Sequence, residues 1–175
     1  MSETKVITGK VRFSYAHVFE PSAISEDQEK KYSVSIIINK KDKKTLDKIK
    51  AAIAAAAEEG KVKFGGSIPK NFKNPLRDGD EEREDDETYK GCMFLNANSS
   101  RKPGLVDADV NPIMDKEEFY SGCYGRASVN FYAFNVSGNK GVACGLNNLQ
   151  KLEDGERLGG GATSAEDDFG ADDLG

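Results

Sequence analysis

The chain has 175 residues, a net charge of −5 and 37% apolar residues, with nine phenylalanines, six tyrosines, three cysteines and no tryptophan. That length fits one domain with decorations, and no apolar run approaches the ~20 residues that span a bilayer. Cys92, Cys123 and Cys144 form no Cys-x-x-Cys pair and His17 is the single histidine, which fits reduced, buried thiols better than a zinc site.

The N-terminus, MSETKVITGK, lacks the apolar stretch of a signal peptide, so the expected location is the cytoplasm. Within the first strand-like stretch, VITGKVRFSYAHVF, Val11, Phe13 and Tyr15 alternate with Lys10, Arg12 and Ser14, predicting a half-buried strand with a basic outer face. A polar loop follows, then a second strand, Lys31–Asn39, with Tyr32, Val34, Ile36 and Ile38 in phase. Leu46, Ile49, Ile53 and the alanines after them fall at helical spacing, and Gly60 is a stop. Residues 61–77 are irregular and basic, mixing Phe64 and Phe72 with Lys61, Lys63, Lys70, Lys73 and Arg77.

Residues 78–87, DGDEEREDDE, hold eight acids and one base and are expected to form a solvated loop. A strand is predicted over 89–98, a turn with Arg101 and Lys102 over 99–104, and an acidic loop over 105–121. The clearest strand is Tyr124–Val136, with Ala127, Val129, Phe131 and Ala133 on one face and Arg126, Ser128, Asn130, Tyr132 and Phe134 on the other. SGNKG is a hairpin turn by composition, and a last strand pairs back after it. Residues 153–175 then form a glycine-rich linker and an acidic tail, leaving 1–152 as the folded domain.

Charge is segregated along this order. The tail segment also holds eight acids and one base, so the chain without its two acidic segments carries 23 bases against 14 acids. A basic body of this kind suits a polyanionic partner. Five or so strands with one inserted helix, and no β-α-β alternation, predict a mainly β protein. The leading form is an antiparallel five-stranded barrel of the oligonucleotide-binding (OB) type, with a β-sandwich as the alternative.

Single strands are held by cations that follow phosphates and by flat rings on which bases stack. Lys10 and Arg12, then Lys70, Phe72, Lys73 and Arg77, then Arg101 and Lys102, and finally Arg126, Asn130, Tyr132 and Phe134 supply both kinds of group. Asp107, Asp109 and Asp115 are the rival feature, but their stretch lacks the central glycine and terminal glutamate of an EF-hand, and no cofactor or metal is expected. No nucleophile or phosphate-loop signature supports catalysis. A protein-interaction or nucleic-acid-mimicking module and, behind it, a metal-dependent nuclease are the competing readings.

RFSYAHVFEP, KYSVSIIINKKD, NPLRDGDEE and especially YSGCYGRASVNFYAFNVSGNKGVACGLNNLQKLEDGE resemble a bacteriophage family of single-stranded DNA-binding proteins. The resemblance implies an OB fold, sequence-tolerant binding of single-stranded DNA, and a part in phage replication or recombination inside the host cell. It transfers no catalytic residue. The end, EDDFGADDLG, is similar to the acidic, aromatic-bearing tails with which such proteins restrain DNA binding and dock replication partners such as polymerase or helicase. Asp167, Asp168, Phe169, Asp172 and Asp173 are the corresponding residues here. One departure is that bacterial proteins of this function end on Pro-Phe, whereas Phe169 stands six residues inside. Monomer and dimer both remain open.

Overall fold

The computed structural model describes residues 4–22 and 30–158, so the five tail residues named above lie outside the described residues. The elements run β1 (Lys5–Ile7), β2 (Val11–Ser22), β3 (Lys31–Asn39), α1 (Lys43–Glu59), β4 (Arg77–Asp78), α2 (Gly79–Glu82), β5 (Cys92–Ser99), β6 (Gly104–Val106), β7 (Tyr124–Val136) and β8 (Asn139–Glu153). Short 3-10 turns occupy Lys61–Phe64 and Glu87–Tyr89.

Five of the strands close a ring. β2 pairs with β3, β3 with β5, β5 with β8, β8 with β7, and β7 returns to β2. All these pairings are antiparallel except β5–β8, which runs parallel through Ala97–Cys144 and Asn98–Gly145. This is the OB-type barrel, with α1 inserted between its second and third strands. β1 continues the sheet beside β7, β6 continues it beside β8, and β4 pairs with β5.

Alternation sends one side chain in two to the interior. Phe13, Ile36, Leu95, Phe131 and Leu146, one from each ring strand, are buried together. Leu46, Ile49, Ile53 and Ala56 turn one face of α1 onto the same core. Asp42 starts the helix by accepting from the Thr45 amide at 3.2 Å, and Gly60 ends it. A Cβ on Gly60 would stand 2.1 Å from that of Ala133, so the helix end and β7 meet too closely for any other residue. At the β7–β8 turn, Ser137 and Gly138 both have positive φ (52° and 86°), the geometry that suits the twist of a two-residue hairpin.

Two expectations need correction. Residues 78–87 are largely exposed, but they are not a plain loop, since they include the short helix α2. Asp78 caps α2 by accepting from the Asp80 amide at 2.9 Å, and the Lys40 ammonium bridges Asp78 and Asp80. The hydrogen bond from Lys40 holds both carboxyls below their ordinary range. Just beyond, Tyr89 is fully buried on the outer face of β3 and β5, where its hydroxyl meets Ser35 Oγ at 2.9 Å and its ring meets Phe94 edge-on at 5.1 Å. Ile37, Tyr89 and Phe94 thus form a second, small apolar cluster outside the barrel that seats the insert.

Nor does Tyr15 face inward with Val11 and Phe13. The pairing Ser14–Ser35 is followed by His17–Ser33, so β2 carries one extra residue at this point. Tyr15 takes up the bulge with φ of 47° and turns outward, 39% exposed, before Val18 rejoins the core.

After β8 the described chain crosses back over β2 and the approach to β7. The Leu158 amide donates to the Ser121 carbonyl at 2.9 Å, and Arg12 Nη2 donates to the Glu156 carbonyl at 2.9 Å. Tyr120 donates from its hydroxyl to Asp154 Oδ1 at 2.9 Å, and the Arg157 guanidinium lies 4.4 Å from the same ring.

Candidate nucleic-acid interface

The outward side of β7 presents Arg126, Ser128, Asn130, Tyr132 and Phe134, as its alternation requires. Opposite Tyr132 and Phe134, β8 places Ala143 and Gly141, with Gly145 one step further along the same side. A Cβ on Gly145 would stand 3.5 Å from Tyr132 Cε1, and one on Gly141 only 2.9 Å from Phe134 Cζ. Both rings therefore rest against bare backbone of β8, a cross-strand pairing that leaves aromatic surface outward. Tyr132 remains 42% exposed, while Phe134 is half-buried.

Lys73 joins this strip from a distant part of the chain. Its amide donates to the Lys140 carbonyl and its own carbonyl accepts from the Val142 amide, both at 3.0 Å. Those bonds hold the exposed Lys73 beside Gly141 and the Phe134 ring. Asn130 Oδ1 accepts from Thr4 Oγ1 at 2.9 Å, which fixes the amide on the same outer face. Lys73, Asn130, Tyr132 and Phe134 are thus the sequence-predicted residues that the fold brings together.

The others are dispersed. Lys70 is exposed three residues before Lys73, but the Phe72 ring packs against the main core. Arg77 pairs with Glu82 at 2.9 Å, and Arg126 Nε donates to the Thr8 carbonyl at 2.9 Å beside a recess of about 180 Å³ lined also by Ile7, Val106 and Val110. Lys10 pairs with Glu153 and lies near the Tyr124 ring, and Arg12 holds the returning C-terminal segment. Arg101 and Lys102 are exposed in the turn after β5, with the Lys102 ammonium 5.5 Å from the Phe19 ring. Asp107 accepts from the amides of Asp109 and Asn111, and Asp115 from that of Glu117, so both shape turns.

Cross-strand register joins the two sides of the barrel. His17 stands opposite Ser33, Ser33 opposite Asn98, Asn98 opposite Gly145, and Gly145 opposite Asn130. This row crosses five strands, and after the exposed His17 ring at its β2 end its outward residues are small or amide-bearing. At its β2 end lie Tyr15 and Arg83, which sequence patterning did not single out. The Arg83 guanidinium is 5.7 Å from the Tyr15 ring, 5.5 Å from Tyr89 and 5.4 Å from Phe94. The one signal for Arg83 is that it is the lone base in an acidic run; for Tyr15 the alternation points the wrong way.

Comparisons with known proteins agree with this fold. A family model described as the ssDNA-binding protein of Enterobacter phage Enc34 matches residues 4–174. A relative from Acyrthosiphon pisum secondary endosymbiont phage 1, described as putative protein p50, is 32% identical over 180 residues, covering 97% of this chain and 94% of the relative. Among solved structures, the single-stranded DNA-binding protein from bacteriophage Enc34 in complex with ssDNA superposes with a TM-score of 0.80 at 21% identity, over 89% of this chain and 90% of that one. Gp2.5, a single-stranded DNA-binding protein encoded by bacteriophage T7, gives 0.59 at 15% identity, over 94% and 99%. At these identities the solved structures speak for the fold.

Proposed function

The chain belongs to the family of the Enterobacter phage Enc34 ssDNA-binding protein, and from that premise we propose that it binds single-stranded DNA with little regard to sequence. The observation that carries the reading is the exposed Tyr132 ring against Gly145, flanked by Phe134 and Lys73, on the outer face of an OB-type barrel. A ring in that position offers a π-face to any base, and the lysine offers a charge to the adjoining phosphate. Nothing in this arrangement asks for covalent chemistry, and the role is non-enzymatic: coating and protecting single strands during phage replication or recombination in the host cytoplasm. Among the described residues, no helix is long and apolar enough to cross a membrane.

The finer part of the proposal concerns the tail. Asp167, Asp168, Phe169, Asp172 and Asp173 combine negative charge with one ring, chemistry that competes with DNA for basic groups and also suits docking to a replication partner. Fluorescence anisotropy with labelled oligo-dT and a matched duplex tests both parts, comparing the full chain with one ending at Gly161. Tighter binding to the single strand, weakening with salt by about 0.7 log units per log unit for each phosphate engaged, is the expected result. A gain in affinity on truncation that shrinks as salt rises supports the competing tail. Absence of single-strand binding by both forms refutes the proposal.

A further inference from the structure

Resting on the ssDNA-binding reading, we propose that Tyr15 and Arg83 form a second base-stacking station, on the β2–β3–β5 side of the barrel. The single strand then runs between this station and Tyr132. Tyr15 and Tyr132 are the exposed aromatic residues among those described, at 39% and 42%. Every other described phenylalanine or tyrosine ring is at least partly packed. Tyr132 is outward by ordinary alternation, but Tyr15 is outward only because β2 takes an extra residue and a left-handed backbone angle of 47°. That conformation is unfavourable for a bulky side chain, and bulges of this kind re-aim side chains at binding sites. Alternation alone would have put the ring in the core, so the fold has set this tyrosine outside at a conformational cost.

Arg83 reaches the same place by another device. The insert that carries it is seated by buried Tyr89 and by the bridges from Lys40 to Asp78 and Asp80, and this brings the guanidinium within 6 Å of three rings. Phe94 and Tyr89 are fully buried, so the ring left open beside Arg83 is that of Tyr15. A planar cation next to an exposed ring takes a base by stacking and a phosphate by charge, which a lysine would not reproduce. Between the stations lies the row His17, Ser33, Asn98, Gly145 and Asn130, four strand spacings or about 19 Å along the sheet; the exposed His17 ring stands at the Tyr15 end, and the remaining four residues are small or amide-bearing. In this light the acidic insert is part of the binding face, with its eight carboxylates bounding the track and its one base serving it.

The chain contains no tryptophan, so Tyr15→Trp is a clean reporter. On titration with oligo-dT its emission is expected to be quenched, with the midpoint that anisotropy gives for the same variant. Tyr15→Ala is expected to weaken binding by about 5- to 150-fold with an unchanged salt slope, while Tyr15→Phe keeps wild-type affinity. Tyr15→Gly separates binding from folding, because glycine accepts the backbone angle: thermal stability is retained or raised while affinity falls. Arg83→Lys keeps the charge and is expected to lose affinity without losing salt dependence. Wild-type affinity in Tyr15→Ala and Arg83→Lys, with the indole emission of Tyr15→Trp indifferent to DNA, overturns the second station and leaves the single-strand reading intact. If the wild-type protein binds no oligo-dT, both fall together.

Discussion

Two sides of one barrel each offer a tyrosine, and they are built on opposite plans. On β7–β8 the pairing is unbroken from Val129 to the hairpin, the stretch that carries Tyr132 and Phe134, and its two register shifts lie nearer the start of β7. Tyr132 and Phe134 emerge by alternation, and glycines on the partner strand make room for them. On β2–β3–β5 the sheet is irregular and partly covered. A bulge turns Tyr15 out, and a folded insert lays Tyr89 over Ile37 and Phe94 and brings Arg83 beside them. The first side shows an open surface made with almost no special backbone, whereas the second needs a strained residue, an extra apolar cluster and ion pairs to reach a comparable end. On the second side Tyr89 and Phe94 are therefore buried structural parts, and Tyr15 is the ring left exposed beside them.

The contrast is broken or sharpened most strongly by Tyr89→Ala. Removing this buried ring is expected to destabilise the protein by about 3–5 kcal/mol, measured by urea unfolding, because the insert loses its seat. A cost below about 1 kcal/mol would mean that the insert does not depend on the cluster. Next in size, Tyr132→Ala is expected to weaken oligo-dT binding by about 1–3 kcal/mol while leaving the urea midpoint nearly unchanged. A large stability loss with unaltered affinity would move Tyr132 to the structural class. Smaller again, Lys73→Ala should make the salt dependence of log Kd shallower by about 0.7, read from titrations at four or more ionic strengths.

The smallest effect belongs to pH. Asp78 and Asp80 have their folded carboxyl values lowered by the hydrogen bond from Lys40, with amide donors adding to it. Their contribution is therefore fully present above the ordinary carboxylate range and is lost as pH falls through the depressed values, below about pH 4. Between pH 7 and pH 3 the thermal midpoint of the wild type should drop slightly more than that of Lys40→Met. Parallel profiles would show that these exposed pairs add nothing measurable.

What could be seen in the sequence follows the same division. The alternation of β7, the SGNKG turn and the alanine-rich α1 are local patterns, and each formed where local physics places it. The strip at Tyr132 and Phe134 was visible for the same reason. Its supports were not: Gly141 matters because Lys73, 68 positions earlier in the chain, bonds beside it, and no spacing rule carries that information. In β2 the pattern predicted the wrong face for Tyr15, since one inserted residue reverses every side chain until the register recovers. Composition hid the insert. Eight acids in ten residues look solvated, yet its fold is decided just outside that run by Tyr89, whose partner Ser35 is 54 residues away.

The parallel β5–β8 seam has a consequence for how the chain comes off the ribosome. Hairpins such as β7–β8 form as soon as both arms exist, but the seam joins Ala97 to Cys144, and until β8 arrives the ring has a gap. During synthesis the inner faces of β2, β3 and β5, bearing Phe13, Ile36 and Leu95, must wait with their apolar side uncovered. Long-range closure of this kind is slow, and the waiting species is sticky. A nascent chain halted before residue 139 is thus an aggregation hazard and not a smaller binding module, because the ring closes only once β8 has been made.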